Sequence, residues 1–185
     1  MVRQEERESS PDARVVFDRA SERFSTAAQG APGSDPDFET AVVVCISVVT
    51  RLVRDGFSVD LVDATGVALC DPLPGGDEGA LETMRLALAD LRAQRQGALT
   101  AQGAGLTGDL RGPVVIVTGR PTAEDAAALA PAASHTTLPL LLAVGAAPGV
   151  LAAAQGWHAS AVTATGAVPD AWAAVTGEGA EHARR

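Results

Sequence analysis

A carboxylate stands at the end of a short apolar segment, Arg14-Val15-Val16-Phe17-Asp18, and a polar stretch follows it. In an open α/β sheet, ligands bind beyond the carboxyl ends of the strands, so Asp18 is at the position expected for a ligand-binding or catalytic residue. A hard cation such as Mg²⁺ needs several oxygen ligands at fixed positions. Ala20 supplies no side-chain oxygen, whereas Glu22 does. Two interpretations follow: a cation site that uses Asp18 and Glu22, or an aspartate that caps a turn or a helix.

Other candidate motifs lack the context that their chemistry requires. Gly103, Gly105 and Gly108 satisfy G-x-G-x-x-G, but they precede a strand, and a dinucleotide pyrophosphate needs a strand-to-helix turn. His135 and His158 have no G-x-S-x-G partner motif, which favours ordinary loop or sheet histidines. The sequence therefore predicts no catalytic residues.

Composition narrows the class of protein. The chain has 185 residues, 46% of them apolar, and contains no lysine. A formal charge of −9 argues against nucleic-acid binding, because binding to phosphates needs a basic surface. Cys45 and Cys70 are too few for a disulfide framework and favour a reducing compartment, with Cys45 in the core. The uncharged run 138–154 contains Pro139 and Gly145, which favours a buried strand and a short helix over a membrane span.

Strand patterns alternate with helix patterns along the chain. We predict strands over 14–18, 113–118, 138–144 and 157–163. Helices are predicted over 38–54, 78–96, 122–130 and 169–175, with a further short helix within 145–154. An edge hairpin is predicted to pair 57–63 with an antiparallel return over 67–69. Unbroken apolar strands separated by helices predict a doubly wound, mostly parallel sheet with helices on both faces. The predicted organisation is a charged segment 1–12, a single domain 13–177 with a loose loop near 97–112, and a tail 178–185.

The order of elements and several local phrases resemble one bacterial family, the C-terminal half of the domain of unknown function number fifty-eight, which is similar to a von Willebrand factor A domain. The phrases that carry the resemblance lie at 1–6, 15–18, 38–41, 56–62 and 114–119. Members usually carry an N-terminal transmembrane hairpin, which is missing here, so we expect a terminal portion or a truncated copy.

The resemblance implies a cation site with a D-x-S-x-S motif, a threonine and a second aspartate. Asp18 matches the first position, but Ala20 and Glu22 replace the two hydroxyls, and Thr118 with Gly119 stand where the second aspartate is expected. The site is therefore predicted to be degenerate, with no cofactor bound. If a cation such as Mg²⁺ does bind, its ligands are Asp18, Glu22 and Thr118.

We expect a non-enzymatic protein-interaction module whose binding edge comprises Asp18, Asp63, Thr118 and Arg120. Arg120 follows a strand and is interpreted as an anion contact or as a solvated side chain. The family implies a MoxR-type AAA+ ATPase as partner and membrane association through a missing N-terminal part; for this chain we expect a cytoplasmic protein without a membrane span. The alternative is a small-molecule or nucleotide-binding enzyme. A convergent polar pocket at the edge favours the enzyme, and a flat or apolar edge favours the module.

Overall fold

The computed structural model describes residues 11–106, 110–147 and 149–177, with the side chain of residue 111 left out. Five strands form one sheet: β1 (Asp12–Phe17), β2 (Ser58–Asp63), β3 (Leu110–Thr118), β4 (Thr136–Val144) and β5 (His158–Val162). Their order across the sheet is β2-β1-β3-β4-β5, and all four neighbouring pairs are parallel. The chain leaves β1 toward β2 on one side, and β3 lies on the other. The order therefore reverses between β1 and β3, which defines the switch point of the sheet.

The described residues form four α-helices beside the strands: α1 (Pro36–Arg54), α2 (Glu78–Ala89), α3 (Ala123–Leu129) and α4 (Val168–Thr176). Asp35 caps α1, since its side chain accepts a hydrogen bond from the Phe38 amide at 2.9 Å. Thr122 and Asp125 form a capping box at α3, as the sequence indicates. These caps fix the start of each helix beside the carboxyl edge of the sheet.

Both faces of the sheet are covered by apolar residues. Val15 and Phe17 of β1 point into a core shared with α1, α2 and α4, whereas Val16 faces a second core. That second core contains Leu129 of α3 and Trp157, together with Leu99 from the chain between α2 and β3. The predicted doubly wound α/β sheet with helices on both faces is thereby confirmed, and so is the burial of Cys45.

The structure differs from the sequence prediction at the hairpin and in two helices. Among the described residues no antiparallel strand is present: the return from 67 makes only isolated bridges, Val62 with Ala68 and Val59 with Leu73. Segment 67–73 contains Pro72 and a bend, which interrupt continuous pairing. Helix α2 ends at Ala89, seven residues early, because the chain that follows bonds to the segment after β1 instead: the Ala93 amide donates to the Ala28 carbonyl at 3.1 Å and the Gln94 amide to the Arg19 carbonyl at 2.9 Å. The stretch after β4 forms a short 3-10 helix, Val150–Ala153, in place of an α-helix.

The remaining bounds agree with prediction to within three residues. Residues 1–10 and 178–185, Gly108 and Pro148 lie outside the described residues, so the predictions for the terminal segments and for the third glycine of the G-x-G-x-x-G pattern stay predictions. No helix in the described part of the chain has the length and apolar character needed to cross a membrane.

Candidate functional site at the carboxyl edge of the sheet

Asp18 follows the last residue of β1 and is fully buried. Its amide donates to the carbonyl of Val117 at 2.8 Å, which extends the β1–β3 ladder by one bond and sets Asp18 beside Thr118. The Thr118 hydroxyl donates to Asp18 Oδ2 at 2.7 Å, and the Ala20 amide donates to Oδ1 at 3.1 Å. The carboxylate therefore closes a turn and ties two strand ends together, in agreement with the capping interpretation.

Arg23 supplies a buried positive charge to this carboxylate. Its side chain is 4% exposed, and Nε lies 3.0 Å from Asp18 Oδ2. Nη2 contacts Asp125 Oδ1 at 2.9 Å, and Nη1 donates to the carbonyl of Gly97 at 3.0 Å. The Nε contact is an ion pair without an aligned hydrogen bond. Arg23 thus connects the end of β1, the chain before β3 and the start of α3.

Asp63 ends β2 and is neutralised in a similar way by Arg19. Arg19 Nη2 lies 3.0 Å from Asp63 Oδ2, and Gln96 Nε2 donates to the same oxygen at 2.7 Å. The other oxygen, Oδ1, accepts from the Thr65 amide and hydroxyl and from the Val67 amide, at 2.9, 2.6 and 3.1 Å. Both carboxylates predicted for the binding edge are therefore occupied by contacts within the chain.

The electrostatic setting of the two aspartates differs. Burial raises the pKa of Asp18, and the Arg23 charge and the hydrogen bonds from Thr118 and Ala20 offset only part of that rise. Burial also acts upward on Asp63, but its hydrogen bonds from Thr65, Arg19 and Val67 outweigh it, so the pKa of Asp63 lies below the usual value. The pKa of Asp125 is lowered in the same manner by Thr122 and Arg23, against the effect of burial.

A cleft of about 440 Å³ opens next to Arg23, between the loops that follow β1 and β3. Its outer lining includes Glu22, Arg120, Thr122 and Glu124, all exposed. Arg120 Nη1 lies 3.7 Å from Asp37 Oδ2, and the Arg120 amide donates to the carbonyl of Arg23 at 2.9 Å. The cleft lies at the switch point of the sheet, the place where doubly wound folds bind ligands.

The residues predicted to form the binding edge are only partly in contact with one another. Asp18 and Thr118 are in direct contact, and Asp63 lies at the neighbouring strand end in register with Phe17. Arg120 lies on the rim, while Glu22 points outward and is bonded only to Ser21 at 3.3 Å among the described residues. His135 and His158 are exposed and lie away from the cleft lining.

The oxygens at this edge do not converge on an ion. Across the described ranges, no group of three or more His, Cys, Asp or Glu side chains is placed to hold a metal. Arg23 has its guanidinium where a cation next to Asp18 would have to bind, and two like charges at such a distance repel.

Sequence reasoning missed Arg23, Asp125 and Arg19. Arg23 is five residues from Asp18, but its partners Gly97 and Asp125 are 74 and 102 residues away, and no local spacing signals such pairs. The one available signal is the Thr122–Asp125 capping box, which places Asp125 at the start of a helix after β3.

These features define a doubly wound α/β domain with a neutralised acidic edge. Compared with family models, with curated proteins and with solved structures, the chain shows no match.

Proposed function

We propose that this chain is a non-enzymatic protein-interaction module of von Willebrand A-like type, with a degenerate cation site, that binds a partner through the carboxyl edge of its sheet. The observation that carries the proposal is the state of Asp18 and Asp63. Each carboxylate is buried and already accepts an arginine and several N–H or O–H donors. Proton transfer, nucleophilic attack and metal ligation all need a group with a free position, so the buried part of this edge is a scaffold.

The recognition surface is the rim above that scaffold. Glu22, Arg120 and Glu124 are exposed around the cleft and are held by the loops that Asp18 and Arg23 anchor. Polar rims on a rigid base are typical of protein interfaces that select a partner by charge.

The family resemblance supports a MoxR-type AAA+ ATPase as partner and a bacterial, cytoplasmic setting. Free Cys45 and Cys70 agree with a reducing compartment.

The direct test is binding of the purified chain to a purified MoxR-type ATPase by biolayer interferometry. We expect Glu22→Arg and Arg120→Glu to weaken binding by at least about tenfold, since rim charges set association. Glu82→Arg, an equal charge change on exposed α2 outside the cleft, is the matched control. Equal binding by all four proteins, or no binding by the unaltered chain, contradicts the proposed interaction.

A second candidate function is small-molecule or nucleotide binding, and the cleft itself favours it. Charged side chains surround an apolar base that includes Ala98, Leu99 and Ala128, the cleft lies at the switch point, and a volume of about 440 Å³ is within the range of ligand pockets. Melting temperatures measured with a panel of nucleotides and small metabolites test this candidate. A stabilisation that Arg120→Ala removes supports it, and an unchanged melting temperature across the panel argues for the interaction module.

A further inference from the structure

The buried guanidinium of Arg23 is surrounded by oxygens from three separate segments. Asp18 follows β1, Gly97 lies between α2 and β3, and Asp125 belongs to α3. Each guanidinium nitrogen has its own oxygen: Nε has Asp18 Oδ2 at 3.0 Å, Nη1 has the Gly97 carbonyl at 3.0 Å, and Nη2 has Asp125 Oδ1 at 2.9 Å. We call these three oxygens the guanidinium cage.

The cage oxygens are positioned by contacts that do not involve Arg23. Asp125 accepts from the Thr122 amide and hydroxyl at 3.0 and 2.9 Å, through its other oxygen. Asp18 is held by Thr118 and by the Ala20 amide. The backbone around Arg23 is fixed independently, because the Arg120 amide bonds to its carbonyl at 2.9 Å. Both carboxylates of the cage therefore keep contacts that hold them when the Arg23 side chain alone is removed.

The shape of the cage fits a planar cation better than a spherical one. A guanidinium presents donors on three nitrogens in one plane; here Nη1 donates to the Gly97 carbonyl and Nη2 to Asp125, while Nε forms an ion pair with Asp18 without an aligned hydrogen bond. A divalent ion would need the same oxygens to converge to about 2.0–2.6 Å from a single point. Oxygens spaced about 3 Å outside three different nitrogens are too far apart for that.

We infer that the cage is a guanidinium-binding site whose ligand is supplied in cis by Arg23, and that without this side chain the site accepts a free guanidinium ion in preference to a divalent metal. The inference concerns the site alone and stands apart from the proposed function. It accounts for the position of the buried carboxylate of Asp18 and the partly exposed carboxylate of Asp125 around one guanidinium, in described residues that hold no cluster of metal ligands.

The experiment is chemical rescue of Arg23→Ala with methylguanidinium chloride at millimolar concentration, far below denaturing levels. Because a ligand that binds only the native state stabilises it, we expect the melting temperature of Arg23→Ala to rise by about 3 °C or more at saturation. The unaltered chain, whose cage is full, should show no rise. Equal concentrations of NaCl and of urea control for salt and for weak denaturant effects.

Two variants test the specificity of the rescue. Arg54→Ala removes an exposed arginine that pairs with Glu78 on the surface and should gain nothing from methylguanidinium. The double variant Arg23→Ala/Asp125→Asn removes the charge of one cage oxygen and should lose most of the rescue.

Two results overturn the inference: a rise in the melting temperature of Arg23→Ala with Mg²⁺ or Mn²⁺ that exceeds the rise with methylguanidinium, or no rise with either. If Arg23→Ala does not fold unaided, dilution from urea with and without methylguanidinium, followed by circular dichroism, gives the answer. Recovery of native signal only with methylguanidinium supports the cage, and absence of recovery contradicts it.

Discussion

Arg23 Nε lies 3.0 Å from Asp18 Oδ2, and the two side chains are 4% and 0% exposed. They are five positions apart in the chain, yet the pair is held in place by groups from β3 and α3. A buried ion pair contributes little net stability when intact, but breaking it leaves an uncompensated buried charge. The pair is therefore a point at which the carboxyl edge is sensitive to substitution.

Replacing Arg23 with methionine should lower the free energy of unfolding by about 3–5 kcal/mol, because Asp18 and Asp125 then remain without their buried partner. Urea unfolding followed by circular dichroism measures the loss. Arg54→Met removes an arginine whose side chain is 57% exposed, and its unfolding midpoint should stay close to that of the unaltered protein. Similar midpoints for the two variants would contradict the burial argument.

Gly119 lies directly under the loop that carries Arg23. A Cβ at this position would lie 2.3 Å from the Arg23 carbonyl oxygen and 2.7 Å from Cε1 of Phe24. Gly119→Ala should therefore lower the free energy of unfolding by about 1–3 kcal/mol through overpacking. Gly166→Ala is the matched control, because nothing lies within 4 Å of the added carbon there, and it should be neutral or slightly stabilising. Chemical unfolding of both variants checks the difference in sign.

Acid should destabilise the protein through Asp35, Asp63 and Asp125. Although burial acts upward on each, hydrogen bonds bring the pKa of all three below the unfolded value. A carboxyl whose folded pKa is depressed contributes stability above its unfolded pKa, about 3.9, and loses it as the pH falls through the folded pKa. Asp18 acts in the opposite direction, since its pKa is raised. The midpoint of urea unfolding should fall steadily below about pH 4.

Asp63→Asn should reduce this pH dependence. At pH 7 the free energy of unfolding of the variant should be lower by about 2 kcal/mol or more, because the hydrogen bonds from Arg19, Gln96 and Thr65 lose their charged acceptor. The difference in the free energy of unfolding between Asp63→Asn and the unaltered protein should decrease as the pH falls. Asp60→Asn changes an exposed residue of the same strand. Its free energy of unfolding should depend on pH in the same way as that of the unaltered protein. A gap that stays constant with pH would exclude Asp63 as a source of the acid effect.

Mg²⁺ or Mn²⁺ should give the same heat and the same melting temperature with the unaltered protein and with Asp18→Ala. The physical reason is that the Asp18 carboxylate already contacts Arg23, Thr118 and the Ala20 amide. Isothermal titration and thermal unfolding are the measurements. A metal-dependent stabilisation that disappears with Asp18→Ala would support a cation site at Asp18, since a ligand of the native state raises stability.

The sequence predicts the fold well because the signals are local. The apolar run of β3, the helical spacing of α1 and the capping box at α3 all lie within segments of fewer than twenty residues. The predicted antiparallel return beside β2 is present only as isolated bridges, Val62 with Ala68 and Val59 with Leu73, and not as a strand, because turn composition does not determine how far pairing continues.

The site was harder to predict. Asp18, Thr118 and Asp63 could be placed at one edge because parallel strands end on the same side. Arg23 was not singled out, since a buried arginine and a solvated one look alike in sequence. Its partners are defined only by the packing of the chain before β3 against the start of α3.

The contacts of Arg23 with Gly97 and Asp125 join residues 74 and 102 positions apart, and the Thr118–Asp18 hydrogen bond joins residues 100 positions apart. Contacts between residues so far apart in sequence require the closure of a large loop. During synthesis, Asp18 and Arg23 can form these contacts only after β3 and α3 have been synthesised. A fragment that ends before β3 therefore cannot assemble this edge, whatever the stability of β1, α1 and β2 on their own.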